Sequence, residues 1–190
     1  MVVISGPNGA GKSTSAASLL QGALGVSEFV NADTIAGGLS AFQPEAAAFQ
    51  AGRVMLQRLQ YLAGQGVDFA FETTLASRSF APWIAQLRQQ GYAFHLVFLW
   101  LSSPQLALAR VAERVRLGGH DVPTDVVVRR YHAGLRNFFG LYRVQADKWM
   151  FWDNSDPISR RVLACGEGER STSVADVAIW RRIEEKYNAT

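Results

Sequence analysis

The chain has 190 residues, 48% of them hydrophobic, and a formal net charge of +3 at pH 7. These values fit one α/β domain with a sizeable core, and they exclude a mostly disordered chain. The lone cysteine, Cys165, excludes an internal disulfide framework and a cysteine-cluster metal site, and it fits a cytoplasmic setting. We expect no signal peptide and no membrane association, because no apolar run is long enough to cross a bilayer.

Residues 6–14 read GPNGAGKST and carry the strongest functional signal in the chain. The pattern G-x-x-x-x-G-K-[ST] is complete, with a strand-like apolar run at residues 1–4 before it and a helix-compatible run at residues 15–20 after it. This is the context of a phosphate-binding loop, in which inward-facing N–H groups and a helix N-terminus hold a β-phosphate. An ordinary glycine-rich turn is the less favoured alternative, because both flanks agree with the motif.

The same loop predicts ATP and Mg²⁺ as cofactors. Lys12 is expected to reach the β- and γ-phosphates as a point charge, and the Ser13 hydroxyl occupies the position that ligates Mg²⁺. The predicted ATP-binding residues of the loop are Gly6, Pro7, Asn8, Gly9, Ala10, Gly11, Lys12, Ser13 and Thr14, with Ser13 as the metal ligand.

Polar residues follow a second short strand, predicted at residues 26–30. The carboxyl ends of parallel strands line the ligand crevice, so Asp33 is expected near the phosphates. Asp33 is our candidate for the base that takes the proton of an acceptor hydroxyl, and Asn31 is predicted to contact the acceptor. Asp is also a favoured helix N-cap, so Asp33 could instead cap the next helix. The sequence alone favours neither the base nor the cap.

A third strand, predicted at residues 68–71, leads into a second polar cluster. Glu72, Thr73 and Thr74 follow it directly, and Arg78 lies just beyond. A carboxylate, two hydroxyls and a guanidinium predict a pocket for a second substrate, and Glu72 equally suits an outer contact to Mg²⁺. Turn and cap chemistry is the alternative. A carboxylate directly after a buried strand is costly unless it is used or paired, which favours the functional role.

Arginines concentrate on a helix–loop–helix at about residues 104–143. Ser103 and Thr124 are the predicted caps of its two helices, and Gly118-Gly119 form a hinge between them. The segment predicts a lid that closes over the triphosphate, excludes water and neutralises the transferring phosphoryl group. A solvated basic face is the alternative, and the scarcity of acids beside the arginines favours the lid. The candidate phosphate contacts are Arg114 and Arg116 on one arm and Arg129 and Arg130 on the other.

The remaining elements complete an α/β fold in one domain over residues 1–190. We predict a three-layer P-loop NTPase or kinase fold, with a mostly parallel sheet of about five to six strands, helices on both faces and the Arg-rich helical lid. Asp153 or Asn154, after the last core strand, is expected to touch the adenine. The other predicted elements are helices at 43–64, 80–90 and 174–187, strands at 92–101, 148–152 and 161–164, and a loop at 166–173.

The segments GPNGAGKST, VNADTIA, FETTLASRS, RVAERVRLGGHDVP and RRYHAGLRNF resemble, in order and spacing, the zeta-toxin family of P-loop kinases in its short bacterial form. The resemblance implies ATP-dependent phosphorylation of a small molecule, classically a UDP-N-acetyl amino sugar at its 3′-hydroxyl. By the same resemblance, Asp33 is the general base and Lys12 the Walker lysine. The resemblance also implies that Arg116 and Arg129, or their neighbours on the lid, are the γ-phosphate clamps. An antitoxin protein is the implied candidate partner. This chain is shorter than the well-known toxins, whose extra segments help to shape the sugar pocket.

Other functions also use a P-loop. An ABC-type ATPase subunit needs an LSGGQ-like signature and an apolar strand ending in Asp-Glu, whereas the apolar strand here ends in Leu101-Ser102-Ser103. A non-catalytic ATP-binding switch or ATPase would keep Lys12 but would need no base. A polynucleotide kinase would suit the Arg-rich lid, but the chain lacks the aromatic-interleaved basic surface that single strands require, so nucleic acid is not an expected partner.

Overall fold

A computed structural model describes residues 1–156 and 158–188, with all their side chains except those at 21 and 23. The strands of this part of the chain are β1 Val2–Ser5, β2 Glu28–Val30, β3 Phe69–Thr73, β4 His95–Trp100, β5 Lys148–Asp153, β6 Arg161–Glu167 and β7 Arg170–Val174. They form one sheet in the order β2-β3-β1-β4-β5-β6-β7. The first five strands of that order pair in parallel, and β6 and β7 pair antiparallel.

Helices cover both faces of this sheet, and the predicted three-layer α/β fold is confirmed. They are α1 Lys12–Ala17, α2 Ala32–Leu39, α3 Ala48–Gly64, α4 Phe80–Gln89, α5 Pro104–Arg116, α6 Thr124–Asn137 and α7 Val177–Tyr187. A π-helical segment, Ser18–Leu24, continues α1, and a second one, Phe138–Tyr142, continues α6 and leads into a short 3₁₀ turn, Arg143–Gln145. None of the helices described has the length and apolar character needed to cross a bilayer.

The centre of the sheet is β4, as its continuous apolar sequence predicts. Its residues from Leu96 to Trp100 are all buried, and the strand pairs with β1 on one side and β5 on the other. An aromatic cluster covers one face of this region, where the ring of Phe151 lies 5.2 Å from that of Phe98 and 5.1 Å from that of Phe138. This parallel core brings the carboxyl ends of β1, β2, β3, β4 and β5 to one edge of the sheet, where the polar residues follow.

The prediction of a loop at residues 166–173 is wrong. These residues complete β6 and form most of β7, with the turn at Gly168 in the left-handed region at φ 53°. The sequence of β7, RSTSV, has almost no apolar alternation, because this edge strand is solvated on most of its length. The sheet therefore has seven strands in the described part of the chain, and α7 begins only at Val177, capped by Asp176.

Two helix starts also differ from their predictions. The predicted helix at 43–64 begins at Ala48, because residues 44–47 form a turn. The cap position of α6 is Pro123, and Thr124 is its first helical residue, so the predicted cap at Thr124 is wrong. Ser103 does cap α5, because its Oγ accepts from the N–H of Leu106 at 3.1 Å.

Candidate functional site

The glycine-rich loop connects the end of β1 to the start of α1 in the expected geometry. Gly6 has φ 139°, and a Cβ there would collide with the carbonyl oxygen of Leu99, so only glycine fits against β4. Gly11 precedes α1 in the left-handed region at φ 76°. No described side chain caps the first turn of α1, so the N–H groups of this turn stay available to an anion.

Lys12 and Glu72 form a buried polar network at the base of this loop. Lys12 is 7% exposed, and its Nζ donates to the Pro7 carbonyl at 3.0 Å and lies 3.6 Å from Glu72 Oε1. Glu72 Oε2 accepts from Ser13 Oγ at 2.7 Å and from Asn31 Nδ2 at 2.8 Å. Burial lowers the pKa of Lys12, and the Glu72 carboxylate opposes that effect. The carboxylate is therefore paired, as its position in the chain requires.

The helix cap beside this network is Asn31. Its Oδ1 accepts from the N–H groups of Asp33 at 2.7 Å and Thr34 at 3.2 Å, which is the geometry of an N-cap. The alternative that Asp33 serves as the cap of α2 is therefore wrong. Asp33 lies in the first turn of α2, where its exposed carboxylate lines the cleft above Lys12.

The cleft has a volume of about 240 Å³ and brings together eight of the predicted site residues. Arg130 enters it from α6, where burial lowers the pKa of Arg130 and the nearby Asp33 carboxylate opposes that effect. Two apolar lining residues, Met55 and Phe80, were not predicted as part of the site, since hydrophobic positions on α3 and α4 indicate only a core. The lining residues are Asn8, Lys12, Asn31, Ala32, Asp33, Met55, Glu72, Thr73, Thr74, Phe80 and Arg130.

Three predicted site residues lie elsewhere in this conformation. Arg116 is on the outer side of α5, where its guanidinium pairs with Glu113 at 2.7 Å and its side chain is 71% exposed. Arg129 is exposed on α6, next to Arg130 but outside the cleft lining. Arg78 is exposed and lines a separate groove between α4 and the 3₁₀ turn. Their phosphate and acceptor contacts therefore stay predictions that require movement of the lid or of the segment after β3.

Arg114 lies closer to the loop than Arg116. Its charge is near enough to lower the pKa of Lys12, and its Nη2 donates to the His120 carbonyl at 2.6 Å. His120 in turn donates from Nδ1 to Glu45 Oε1 at 2.7 Å, so the predicted hinge is tied to the turn before α3. The predicted lid is thus in contact with the turn before α3.

The segment after β3 is held by α6. Thr73 Oγ1 accepts from the N–H of Leu75 at 3.1 Å, so this hydroxyl does perform turn chemistry. Leu75 is buried in the left-handed region at φ 61°, and its carbonyl accepts from Asn137 Nδ2 at 2.8 Å. Asn137 Nδ2 also donates to the Ala76 carbonyl at 3.0 Å. Since Arg130 is on the same helix, α6 fixes both the cation and Thr73 and Thr74 in the cleft.

Asn154 also lies in a different environment from the one expected. Its side-chain amide is 3% exposed and donates to the carbonyl of Ala10, inside the phosphate-binding loop. Asp153 accepts from the N–H of Ser155 at 3.0 Å in the following turn. These two side chains are therefore engaged with the protein backbone at the edge of the loop.

A family model described as an AAA domain, AAA_33, matches residues 1–141. The chain belongs to this AAA domain family. The match covers the phosphate-binding loop, the cleft and both lid helices, and it ends before β5. An uncharacterized protein of Haemophilus influenzae is 31% identical to this AAA domain over 126 residues, which are 66% of this chain and 88% of the relative.

Solved structures share the fold of this AAA domain. A chain of the AvrRxo1-ORF1:AvrRxo1-ORF2 complex aligns with a TM-score of 0.73 and 16% identity in a crystal with sulphate ions, and with 0.71 and 17% in a crystal with ATP. Both alignments cover 99% of this chain and 63% of that one, so this chain spans less than two thirds of its length.

A chain from the PezAT chromosomal toxin–antitoxin system of Streptococcus pneumoniae aligns with a TM-score of 0.64 and 15% identity, over 99% of this chain and 86% of that one. At identities below 25%, these alignments show a shared fold. It is the fold that the resemblance to the zeta-toxin family predicts, so that expectation is confirmed for the fold.

Proposed function

We propose that the protein transfers the γ-phosphoryl group of ATP to a hydroxyl group of a small molecule. One observation carries the proposal: the Asp33 carboxylate and the Arg130 guanidinium share a single cleft with Lys12 of the phosphate-binding loop. A cradle for phosphates beside a carboxylate and a second cation has the parts that phosphoryl transfer needs. The ATP in one AvrRxo1 crystal adds support for the nucleotide.

The reaction assigns a separate task to each group. Asp33 accepts the proton of the acceptor hydroxyl while the hydroxyl oxygen forms a bond to the γ-phosphorus. The bond from that phosphorus to the β,γ-bridging oxygen breaks, and its electron pair leaves with ADP. Lys12 and Arg130 balance the negative charge on the phosphate oxygens, and their burial in the cleft strengthens that interaction.

The residues around Ser13 fit a Mg²⁺ ion. Ser13 Oγ and Glu72 Oε2 lie 2.7 Å apart and offer the oxygen ligands that this cation prefers. No group of three or more His, Cys, Asp or Glu side chains that could hold a metal ion occurs in the described ranges. In the proposed site the ion would be held by one protein hydroxyl, phosphates and water. When bound, Mg²⁺ would neutralise charge on the β- and γ-phosphates, with Ser13 as its direct ligand and Glu72 beside it.

The acceptor that we propose is a nucleotide sugar, of the UDP-N-acetyl amino sugar class. The sequence resemblance supports this class, and the cleft offers mixed chemistry for a sugar ring, with apolar Met55 and Phe80 beside polar Thr74. Asn8 Oδ1 is buried and has no hydrogen-bond partner among the described residues, so it can accept from a substrate hydroxyl. Since ATP supplies the phosphoryl group, we place the reaction in the cytoplasm.

A protein antitoxin is the partner that accompanies this proposal. The PezAT structure comes from a toxin–antitoxin system, and the AvrRxo1 crystals contain the products of two reading frames. Both observations concern those proteins, and they support the same class of partner here.

The test is a screen of nucleotide sugars and small hydroxyl compounds with γ-labelled ATP. We expect the label on one acceptor, dependent on Lys12 and Asp33. Label released only as inorganic phosphate, at a rate that no acceptor raises, would favour the ATPase or switch instead. A label on RNA or DNA ends would favour the polynucleotide kinase.

Arg130 is expected to act on turnover more than on nucleotide binding. If it contacts the transferring group only when the lid is closed, R130A should lower kcat by about 100-fold and change ATP affinity by less than about three-fold. The exposed Arg170 on β7 provides the matched control, and R170A should change neither value. Equal losses of turnover and affinity in R130A would instead indicate ground-state binding. A loss in R116A or R129A as large as that in R130A would indicate that the lid closes further.

A further inference from the structure

Asn154, directly after β5, contacts the backbone of the phosphate-binding loop. Its Nδ2 donates to the carbonyl oxygen of Ala10 at 2.5 Å, and the same nitrogen lies 3.2 Å from the position that a Cβ on Gly11 would take. We propose that Asn154 is a positioning residue, which holds the loop backbone in its phosphate-binding orientation. The inference rests on the proposed function, because it requires that the loop binds the phosphates of ATP.

The physical reason lies in the peptide unit between Ala10 and Gly11. In a trans peptide the C=O and the N–H point in opposite directions, so a carbonyl fixed on Asn154 directs the Gly11 N–H away from Asn154. In the proposed arrangement this N–H faces the phosphates. Gly11 has no Cβ and has positive φ, so this peptide unit can rotate more easily than most. A rotated unit would present a carbonyl oxygen to the phosphates and repel them.

The support is itself fixed in place by neighbouring elements. The backbone N–H of Asn154 donates to the Trp100 carbonyl at 2.9 Å, which ties it to the end of β4. Ser155 accepts from the N–H of Ser102 through Oγ at 2.9 Å, and its carbonyl accepts from Arg110 Nη2 at 2.9 Å. Arg110 also packs against the loop, since its Cβ is 3.0 Å from where a Cβ on Gly9 would lie. The loop therefore packs against β4, α5 and the residues after β5, which are hydrogen-bonded to one another.

This support lies beyond the residues that the AAA domain model matches. The match ends at residue 141, whereas the donor to Ala10 is 13 positions further along the chain. The loop motif alone therefore describes the phosphate cradle without the side chain that orients one of its peptide units.

The experiment compares N154D with Q145E in binding of ATP and of inorganic tripolyphosphate, both with Mg²⁺, by calorimetry. Each substitution replaces a side-chain amide that donates to a backbone carbonyl with a carboxylate of the same shape, and Gln145 donates to Leu141 outside the cleft lining. We expect N154D to weaken both ligands by about ten-fold or more and by the same factor, because a loop carbonyl loses its donor and a negative charge approaches the phosphates. Q145E should leave both affinities within about two-fold of wild type. Thermal melts should show similar losses for the two variants.

The two ligands separate the competing explanations. If N154D weakens ATP but not tripolyphosphate, Asn154 contacts the base and the proposal is wrong. Unchanged affinity for both ligands in N154D, with wild type binding and K12A not binding, overturns the positioning role but leaves the proposed function standing. A wild-type protein that binds neither ligand removes both. N154S, with a neutral and shorter side chain, repeats the test. Melting of both Asn154 variants far below Q145E would make Asn154 a purely structural residue.

Discussion

Replacing Asp33 with asparagine will lower the rate of phosphoryl transfer by about 100-fold to 10,000-fold, the range expected for the loss of a general base. The amide keeps the shape of the carboxylate but cannot accept the hydroxyl proton at neutral pH. The cap of α2 is Asn31, so the helix keeps its start in D33N and the fold should be unaffected. ATP affinity should change by less than about three-fold. Label transfer to the acceptor found in the screen, with ATP binding measured in parallel, checks both values.

Asp125 provides the matched control for this variant. It is the acidic residue in the first turn of α6, as Asp33 is in the first turn of α2, and it is exposed outside the cleft lining. D125N removes the same charge from an equivalent helix position, so it controls for the interaction with the helix dipole. Wild-type turnover in D33N would refute the assignment of Asp33 as the base. A loss of ATP affinity equal to the loss of rate would show that Asp33 acts through binding, for example by orienting Arg130.

Replacing Lys12 with alanine will weaken ATP binding by about 100-fold or more, because the loop loses a charge-assisted contact to the phosphates in a buried site. The fold should survive, although Lys12 is 7% exposed rather than on the surface of the crevice. Glu72 loses its cation but keeps the hydrogen bonds from Ser13 and Asn31, so its carboxylate is not left without partners. Calorimetry with ATP and a thermal melt measure the two effects separately.

Two further variants sharpen the interpretation of K12A. K12M keeps most of the side-chain volume without the charge, so it should bind ATP as poorly as K12A and melt closer to wild type. K148A, at an exposed lysine of β5, should leave the affinity unchanged. Collapse of K12A and K12M well below the wild-type melting temperature would mean that the Lys12–Glu72 pair holds the fold itself. Tight ATP binding by either variant would contradict the predicted role of Lys12 in binding the phosphates.

The phosphate-binding loop and the central strand could be predicted because their signals are local. The whole loop pattern lies within nine residues, and the apolar run of β4 needs no distant information to indicate burial on both faces. The polar strand β7 could not be predicted, because its pairing with β6 depends on the edge position that the rest of the sheet provides. No sequence motif indicates the hydrogen bond between Ala10 and Asn154, since neither residue type is unusual at its position.

The positions of the lid arginines around their helices distinguish those that face the protein from those that face away from it. On α5 the buried residues are Ala107 and Val111, so Arg114 lies near the same stripe and Arg116 lies off it. On α6 the buried positions include Val127, Tyr131 and Gly134, and Arg130 falls on that face whereas Arg129 does not. Helical phase therefore favours Arg114 and Arg130. The structure agrees, because the charge of Arg114 helps to lower the pKa of Lys12 and the charge of Asp33 acts on Arg130. The predicted clamps Arg116 and Arg129 rest on the family resemblance and on movement of the lid.

The bond between Ala10 and Asn154 spans 144 positions of the chain, which has a consequence during protein synthesis. The glycine-rich loop leaves the ribosome before β4, β5 and Asn154. A nascent chain therefore contains the loop motif before the contact between the loop and Asn154 can form, because long-range contacts form late. We therefore expect chains that end before Asn154 to bind ATP more weakly than chains that include it, so a ribosome stalled before that codon should carry a product with low ATP affinity.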